Sequence, residues 1–269
     1  MNRIPAHQPY RWFVAGFALA MAIGFLTSAA PVSANHAAVP GRGATRLGPD
    51  LGTQAVTAGI DVNRWNNTVN WTSVHGAGVE FAYLKATEGT STKDPNFNTY
   101  YPAAYYAGLV RGAYHIGLPN LSSGTVQADY FASNGGAWSA DNQTLPGALD
   151  LEPNPYSGGY CYGLSQSSMV SWISAFANEY HARTGRWAVI GTTLSWWKLC
   201  TGNYSGFATR HPLWIVRWST SAGTLPAGWS FFTFWQDTNC RKVSGISGCA
   251  DGDYFNGDRT RLVALADNT

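Results

Sequence analysis

Two acidic residues stand one position apart at the end of a short apolar run, in the stretch LPGALDLEP at residues 145–153. In an extended strand, residues i and i+2 point to the same face, which would set the side chains of Asp150 and Glu152 side by side. Two neighbouring carboxyl groups raise the pKa of at least one of them, so that one can act as an acid and the other as a base. The alternative is a solvated loop, and one such pair does not decide between the two.

Stretches typical of strands and of helices alternate along much of the chain. Strands are predicted at residues 59–62, 79–85, 109–116, 145–152 and 187–191, and helices near 71–76, 96–107, 125–133 and 167–183. Further strand-like runs follow at 212–218, 230–236 and 251–254, without a long helix between them. This order predicts an α/β fold, a modified TIM-like β/α barrel with eight strands that lacks helices between the last strands.

In a barrel of this type, the C-terminal ends of the strands carry the chemistry. Asp61 lies near the end of the first predicted strand, and Asp150 and Glu152 lie at the end of the fourth. Asp251 belongs to the last predicted strand. We therefore predict that these four acids meet at one mouth. Cleavage of a glycosidic bond needs such a set, because one carboxyl group protonates the leaving oxygen while another group stabilises the oxocarbenium-like centre.

Residues 1–34 have the pattern of a secretory signal peptide. Arg3 and Arg11 make the start positively charged, residues 12–30 are largely apolar, and residues 32–34 form a small-residue cleavage site. The alternative is an uncleaved membrane anchor. Because the cleavage motif follows the apolar segment at once, the pattern favours export.

Residues 35–57 are rich in Gly, Ala and Thr without periodicity, which predicts a linker or propeptide. Residues 58–269 are long enough for a single catalytic barrel domain. From residue 58 onward the chain has 13 Lys and Arg against 14 Asp and Glu, a net charge of −1 without a basic run, which argues against a nucleic-acid partner. We expect a secreted, extracellular monomer with no membrane association after signal removal.

The four cysteines contain no C-x-x-C pair, which favours disulfides over a zinc site in an exported protein. Three pairings are possible, and the most economical one joins Cys161 to Cys200 and Cys240 to Cys249. The histidines are scattered and form no H-x-x-x-H motif, so we expect no metal and no cofactor.

Six short motifs occur in order along the chain. They are GIDVNRW at 59–65, FAYLKATEG at 81–89, RGAYH at 111–115, LDLE at 149–152, FWQ at 234–236, and GISG at 245–248 with Asp251. Together they resemble family 25 glycoside hydrolases, the N-acetylmuramidase type of lysozyme. The resemblance implies a modified β/α barrel that cleaves the β-1,4 bond from N-acetylmuramic acid to N-acetylglucosamine in the glycan strands of peptidoglycan.

The resemblance also implies a role for each acid. Glu152 corresponds to the general acid. Asp150 corresponds to the residue that orients or polarises the 2-acetamido group of the substrate, whose oxygen acts as the internal nucleophile, with retention of configuration. Asp61 and Asp251 correspond to residues that line the same mouth and hold the sugar.

Further residues of the motifs and of the aromatic-rich sequence are candidates for sugar binding. They are Tyr83, Tyr114, Trp196, Trp235 and Gln236. For each ring the alternative is packing in the core, and for the glutamine it is a hydrogen bond to a buried backbone group. Lys85 and Glu88 are expected to form an ion pair, and His115 to be a hydrogen-bonded structural histidine.

Two positions depart from the family pattern. Ile116 stands where many relatives have an aromatic residue, and Gly191 stands where many have Tyr. We expect these departures to change specificity rather than chemistry. A second hypothesis is a catalytically silent glycan-binding protein that kept the aromatic groove. A third, a peptide-cleaving amidase, is disfavoured because it needs clustered metal ligands or a free thiol.

Overall fold

The computed structural model describes residues 55–269. The predicted signal peptide and nearly all of the predicted linker lie outside the described residues, so the domain boundaries stay a prediction. Within residues 55–269, no helix combines the length and the apolar character needed to cross a membrane.

Eight strands close into a barrel, and a ninth, very short strand extends it at one side. The strands are β1 (Thr57–Val62), β2 (Phe81–Glu88), β3 (Thr92–Lys93), β4 (Val110–Ile116), β5 (Ala148–Leu151), β6 (Val189–Thr192), β7 (Leu213–Val216), β8 (Phe234–Arg241) and β9 (Ala250–Phe255). The order around the barrel is β1-β9-β8-β7-β6-β5-β4-β2, with β3 beside β2, and β1 pairs with β2 to close it. The predicted barrel of eight strands is confirmed.

Among the eight strands that close the barrel, the last one departs from the parallel arrangement. Strands β1, β2 and β4 to β8 pair in parallel, whereas β9 is antiparallel to both β8 and β1. A parallel connection needs a dozen or more residues, and the segment between β8 and β9 is too short for one. The chain therefore turns back as a hairpin, and the start of β9 lies beside the C-terminal ends of the parallel strands.

Six α-helices surround this barrel in the described part of the chain. They are α1 (Trp71–Gly76), α2 (Phe97–Tyr106), α3 (Gly124–Phe131), α4 (Gln166–Thr184), α5 (Leu194–Thr201) and α6 (Arg259–Asp267). The first four agree with the prediction. The α4 helix begins where the Ser165 side chain accepts a hydrogen bond from the backbone N–H of Ser168, and it ends at Gly185, whose φ of 71° is left-handed.

Two helices and the short strand β3 were not predicted, and several strand boundaries shift by a few residues, most of all those of β8. The α5 and α6 helices are each less than three turns long, and their apolar pattern is too short to stand out. Strand β8 was predicted at residues 230–236, but Phe231 points into solvent with 62% of its surface exposed. The strand starts later and runs past Gln236 because it pairs there with the returning β9.

The barrel interior is filled with aromatic rings below its C-terminal end. Alternate residues of each strand point to the barrel axis. The ring centroids of Phe81 and Phe234 are 5.3 Å apart, and Tyr83 stacks on Trp214 at 4.9 Å. A Cβ at Gly112 would lie 2.3 Å from the Tyr83 ring, so only glycine fits there. The acids at the C-terminal end of the barrel therefore lie directly above a closely packed aromatic layer, called the floor of the mouth below.

Replacing Gly112 by Ala is expected to lower the free energy of unfolding by about 1–3 kcal/mol, because the Tyr83 ring must move to admit the methyl group. Gly76 of α1 is the matched control, since a Cβ at that position would meet no atom within 4 Å. Gly76→Ala should leave the free energy of unfolding unchanged or raise it slightly. Urea denaturation measures both variants. Equal midpoints for the two would mean that the interior is loosely packed around Gly112.

Candidate active site

The structure brings the four predicted acids to one end of the barrel. Asp61 of β1 and Asp251 of β9 are directly paired residues, which places their Cβ atoms about 5 Å apart. Asp150 belongs to β5, and Glu152 follows that strand immediately. The charges of Asp150 and Asp251 each act on the carboxyl groups of Asp61 and Glu152. Asp251 reaches this end because β9 is antiparallel, so that its beginning meets the ends of the parallel strands.

The environment of Glu152 keeps its carboxyl group protonated at neutral pH. The residue is half-buried: solvent reaches it, but protein atoms surround it closely. Burial and the nearby charge of Asp150 raise the pKa of Glu152 to about 8, against an opposing effect of Lys85. A carboxylic acid with a raised pKa is what proton donation to a leaving group requires.

Asp150 shares the environment of Glu152 and titrates together with it. It is also half-buried, and burial raises its pKa to about 7. The charge of Lys85 lowers that pKa, whereas the charge of Asp251 raises it. Because both pKa values are raised and the charge of Asp150 acts on Glu152, the pair can hold one proton and one negative charge near neutral pH.

Gln236 holds the buried carboxyl group of Asp61. Its side-chain Nε2 donates to Asp61 Oδ2 at 2.8 Å, and its Oε1 accepts from Trp218 Nε1 at 2.9 Å. Burial raises the pKa of Asp61 well above its ordinary value, and the charges of Asp251 and Asp253 add to that shift. Gln236 therefore donates to a side-chain carboxyl group. The sequence analysis expected either a sugar or a buried backbone group as its partner.

Tyr114 lies at the bottom of the same mouth. Its hydroxyl oxygen is 3.5 Å from Asn63 Nδ2, and its ring meets the Trp214 ring edge-on at 6.1 Å. The charges of Asp61 and Asp150 both act on its hydroxyl group. Of the aromatic candidates from the sequence, Tyr114 is the one that the structure places among the acids.

The other three aromatic candidates belong to the core. Tyr83, Trp196 and Trp235 are all fully buried and leave no ring face for a sugar. The Tyr83 hydroxyl donates to the carbonyl of Pro146 at 3.0 Å, deep inside the barrel. The Trp235 indole donates to the carbonyl of Arg217 at 2.8 Å. Their assignment as sugar-binding residues is corrected here to packing.

The physical reason for this correction differs between the two tryptophans. Successive residues of a strand point to opposite faces, so that Trp235 must face outward when Gln236 faces the mouth. The sequence alone therefore shows that Trp235 and Gln236 cannot both face the mouth. Trp196 lies on the missed helix α5, and only the position of that helix against the barrel decides that its ring is buried.

Lys85 and Glu88 form the predicted ion pair at the end of β2. The Lys85 Nζ and Glu88 Oε2 atoms are 2.5 Å apart, and the Tyr156 hydroxyl donates to the other carboxylate oxygen at 2.5 Å. Burial alone would raise the pKa of Glu88, but Lys85 and the hydrogen bonds prevail, and the pKa is lowered. Lys85 thus supplies the positive charge that also acts on Asp150 and Glu152.

His115 is a structural histidine, as predicted from the sequence. It is fully buried, with Nδ1 2.7 Å from Thr87 Oγ1 and Nε2 3.1 Å from Gln127 Oε1. Burial lowers its pKa to about 4, so the ring is neutral at physiological pH. It points away from the mouth because it follows the inward-facing Tyr114 by one residue.

Sequence reasoning missed two groups of residues near the mouth. Asp253 follows Asp251 by two residues on β9 and shares its face, the same spacing that drew attention to Asp150 and Glu152. Three exposed rings follow the C-terminal ends of β1 and β5. They are Trp65, Tyr156 and Tyr160, with 55%, 55% and 45% of their surface exposed. Their position just after predicted strands was the signal that could have found them.

The two departures from the family pattern lie next to Asp150. Gly191 and Ile116 are its direct partners on β6 and β4. A Cβ at Gly191 would lie 3.4 Å from Asp150 Oδ1, which is an ordinary contact. The glycine therefore leaves open space beside this carboxyl group rather than avoiding a clash.

Both predicted disulfides are present, and each fixes a segment that carries an acid. Cys161–Cys200 ties the loop after Glu152 to helix α5, and Cys240–Cys249 closes the hairpin between β8 and β9. Residues 55–269 contain no group of three or more His, Cys, Asp or Glu side chains arranged to hold a metal ion.

A β/α barrel with several acids in one mouth, one of them protonated near neutral pH, defines a class of enzymes that use carboxyl groups for proton transfer. Glycoside hydrolases are enzymes of this class. The chain belongs to the glycosyl hydrolases family 25, whose model matches residues 60–246.

Individual relatives agree with this assignment. The chain is similar to Lysozyme M1 of Streptomyces globisporus, with 56% identity over 211 residues, covering 78% of this chain and 71% of the relative. It is 40% identical to the N,O-diacetylmuramidase of Arthroderma benhamiae, covering 91% of this chain and 99% of the relative. The crystal structure of the bacterial lysozyme from Streptomyces coelicolor matches with a TM-score of 0.78 and 55% identity, over 79% of this chain and 98% of that chain. The chain is a glycoside hydrolase.

Proposed function

We propose that this chain is a secreted, monomeric muramidase that hydrolyses the β-1,4 bond between N-acetylmuramic acid and N-acetylglucosamine in peptidoglycan. The observation that carries the proposal is the meeting of Glu152 with Asp61, Asp150 and Asp251 at one end of the barrel, where burial and the charge of Asp150 raise the pKa of Glu152. Relatives named lysozyme and N,O-diacetylmuramidase support the substrate. The two disulfides fit an oxidising compartment outside the cell.

Glu152 is the general acid in this proposal. Its proton passes to the bridging oxygen while the bond from that oxygen to C1 of N-acetylmuramic acid breaks. The electron pair of the bond leaves with the oxygen of N-acetylglucosamine. In the second step the Glu152 carboxylate takes a proton from the water that attacks C1.

Asp150 assists the substrate's own 2-acetamido group. Its carboxylate accepts a hydrogen bond from the acetamido N–H, which directs the acetamido oxygen to C1 and stabilises the positive charge that develops there. Water then opens the cyclic intermediate from the opposite side, and two inversions give retention. Asp61, held by Gln236 at 2.8 Å, and Asp251 line the mouth beside it.

The binding surface for the neighbouring sugars consists of the exposed rings after β1 and β5. Trp65 and Tyr160 offer faces on which the apolar side of a sugar ring can stack. Tyr156 is fixed by its hydrogen bond to Glu88, and Tyr114 forms the floor. Trp65, Tyr156 and Tyr160 replace the three buried aromatic candidates in the proposal, and Tyr114 is retained.

The proposal is tested by digesting purified peptidoglycan and labelling the new reducing ends. Muramic acid ends are expected. Glucosamine ends would assign the other glycosidic bond, and free amines would assign a peptide bond; either result would overturn the proposal. Retained binding of glycan without any new ends would instead identify a catalytically silent glycan-binding protein.

The pH dependence of kcat/KM provides a further prediction. Glu152 acts only when protonated, and its pKa is raised to about 8, so activity should persist through neutral pH and fall as the pH rises through about 8. If Glu152 had the ordinary pKa of Glu, about 4.3, activity would fall as the pH rises through that value and would be nearly gone well before neutral pH. A pH series of the initial rate of wall lysis measures this alkaline limb.

Lys85 provides the control for this prediction, because its charge lowers the pKa of both Asp150 and Glu152. Lys85→Met should move the alkaline limb to higher pH. Lys93→Met removes the same charge from an exposed position on β3 and should leave the limb in place. Equal shifts in the two variants would show that the net charge of the protein, rather than the position of Lys85 near the acids, determines the pH of the alkaline limb.

A further inference from the structure

One buried carboxyl group has no part in the mechanism proposed above. Asp253 is fully buried in β9, between Gly59 of β1 and Gln236 of β8, its direct partners. It shares a face with Asp251 and lies one step deeper in the barrel, below the mouth.

The hydrogen bonds of Asp253 are too few for an ionised carboxylate. Trp214 Nε1 donates to Asp253 Oδ1 at 2.8 Å, whereas Oδ2 has no partner among residues 55–269. An ionised carboxylate has about four acceptor sites, and burying it with one donor is very costly. A proton on Oδ2 removes the charge and keeps Oδ1 available to Trp214.

The charged and titratable groups around Asp253 do not compensate a negative charge. They are Asp61 from β1, Tyr83 from β2, Asp251 from β9, and Asp237 and Arg241 from β8. Arg241 is the one cation among them. Its guanidinium already donates to Asp237 Oδ1 at 2.5 Å and to the carbonyl oxygens of Gly59 and Asp253 at 3.1 and 3.0 Å.

We propose that Asp253 is protonated in the working enzyme and is a positioning residue, which holds the Trp214 indole without adding negative charge beneath Asp61. Trp214 stacks on Tyr83 and meets Tyr114 edge-on, so its ring supports the floor of the mouth. The inference extends the proposed function, and its second test rests on that function.

The proton on Asp253 has a measurable effect on folding. Burial raises the pKa of Asp253 to about 8, partly opposed by the Trp214 hydrogen bond and Arg241. In the unfolded chain an Asp has released its proton above a pH of about 4. Between about pH 4 and pH 8 the folded state therefore holds one proton more than the unfolded state. Each unit of rising pH then raises the equilibrium constant of unfolding about tenfold through this group.

The first test compares urea unfolding of the parent and of Asp253→Asn between pH 5 and 7.5. The unfolding constant of the parent should rise about tenfold per pH unit relative to the variant, because Asn has no proton to lose. Asp141→Asn is the control, since hydrogen bonds and Arg111 lower the pKa of Asp141 and it is ionised in both states over this range. The ratio of the unfolding constants of the parent and Asp141→Asn should therefore stay the same at every pH. A constant ratio for Asp253→Asn as well would overturn the proposal.

The second test uses hydrolysis of peptidoglycan by two variants of Asp253. Asp253→Val cannot accept from Trp214 and is expected to lower kcat at least about tenfold, as the buried indole N–H loses its partner. Asp253→Asn accepts like the neutral acid and should restore most of that loss. If Asp253→Asn were as impaired as Asp253→Val, an ionised carboxylate would be required and the proposal would fail. The first test needs no substrate, so failure of the proposed function is distinguishable from failure of this inference.

Discussion

Replacement of Glu152 by Gln should lower kcat for peptidoglycan hydrolysis by about 10²–10⁴-fold, the usual contribution of general acid catalysis. The amide has nearly the same shape but cannot give up a proton to the leaving oxygen. Because the change removes no contact surface, KM and the unfolding midpoint should stay close to those of the parent. Release of labelled reducing ends under saturating substrate measures kcat.

Glu179 of helix α4 offers a matched control. Glu179→Gln is the same chemical change on the outer layer of the barrel, away from the acids, and it should preserve the rate. Parental activity in Glu152→Gln would assign proton donation to another member of the mouth. Equal losses in both variants would point to a general effect of the substitution.

Replacement of Trp196 by Ala is expected to lower the free energy of unfolding by about 3–5 kcal/mol, because a fully buried ring leaves a cavity that the surroundings only partly fill. Such a loss is a large part of the stability of a typical domain. Urea denaturation monitored by circular dichroism measures it. A sugar-binding Trp196, as the sequence suggested, would instead leave the unfolding midpoint nearly unchanged.

Trp65 is the natural counterpart, since 55% of its surface is exposed. Trp65→Ala should change the free energy of unfolding by no more than about 0.5 kcal/mol. It should raise KM for glycan strands, because a stacking face at the mouth is lost. Trp196→Ala should thus lower stability, whereas Trp65→Ala should raise KM and leave stability nearly unchanged. If Trp65→Ala left KM unchanged, Trp65 would have no part in substrate binding.

Local pattern was sufficient to predict most of the elements in their order and the position of the acids along the chain. Apolar periodicity located α4 almost to its ends, and short β-rich runs located most of the barrel strands. The placement of Asp61 and Asp150 at strand ends followed from those strands, because the barrel architecture determines which end is open. These features depend on neighbours a few residues away, which a sequence displays directly.

Only the tertiary structure decided which way the last strand runs and which polar and aromatic groups are buried. Trp196 and Trp65 are the same residue type, but packing of α5 against the barrel encloses one while the loop after β1 exposes the other. Asp251 and Asp253 share one strand face, yet they differ by one layer in depth, and depth sets the environment of each carboxyl group. Burial and pKa depend on atoms that are distant along the chain and meet only when the barrel closes.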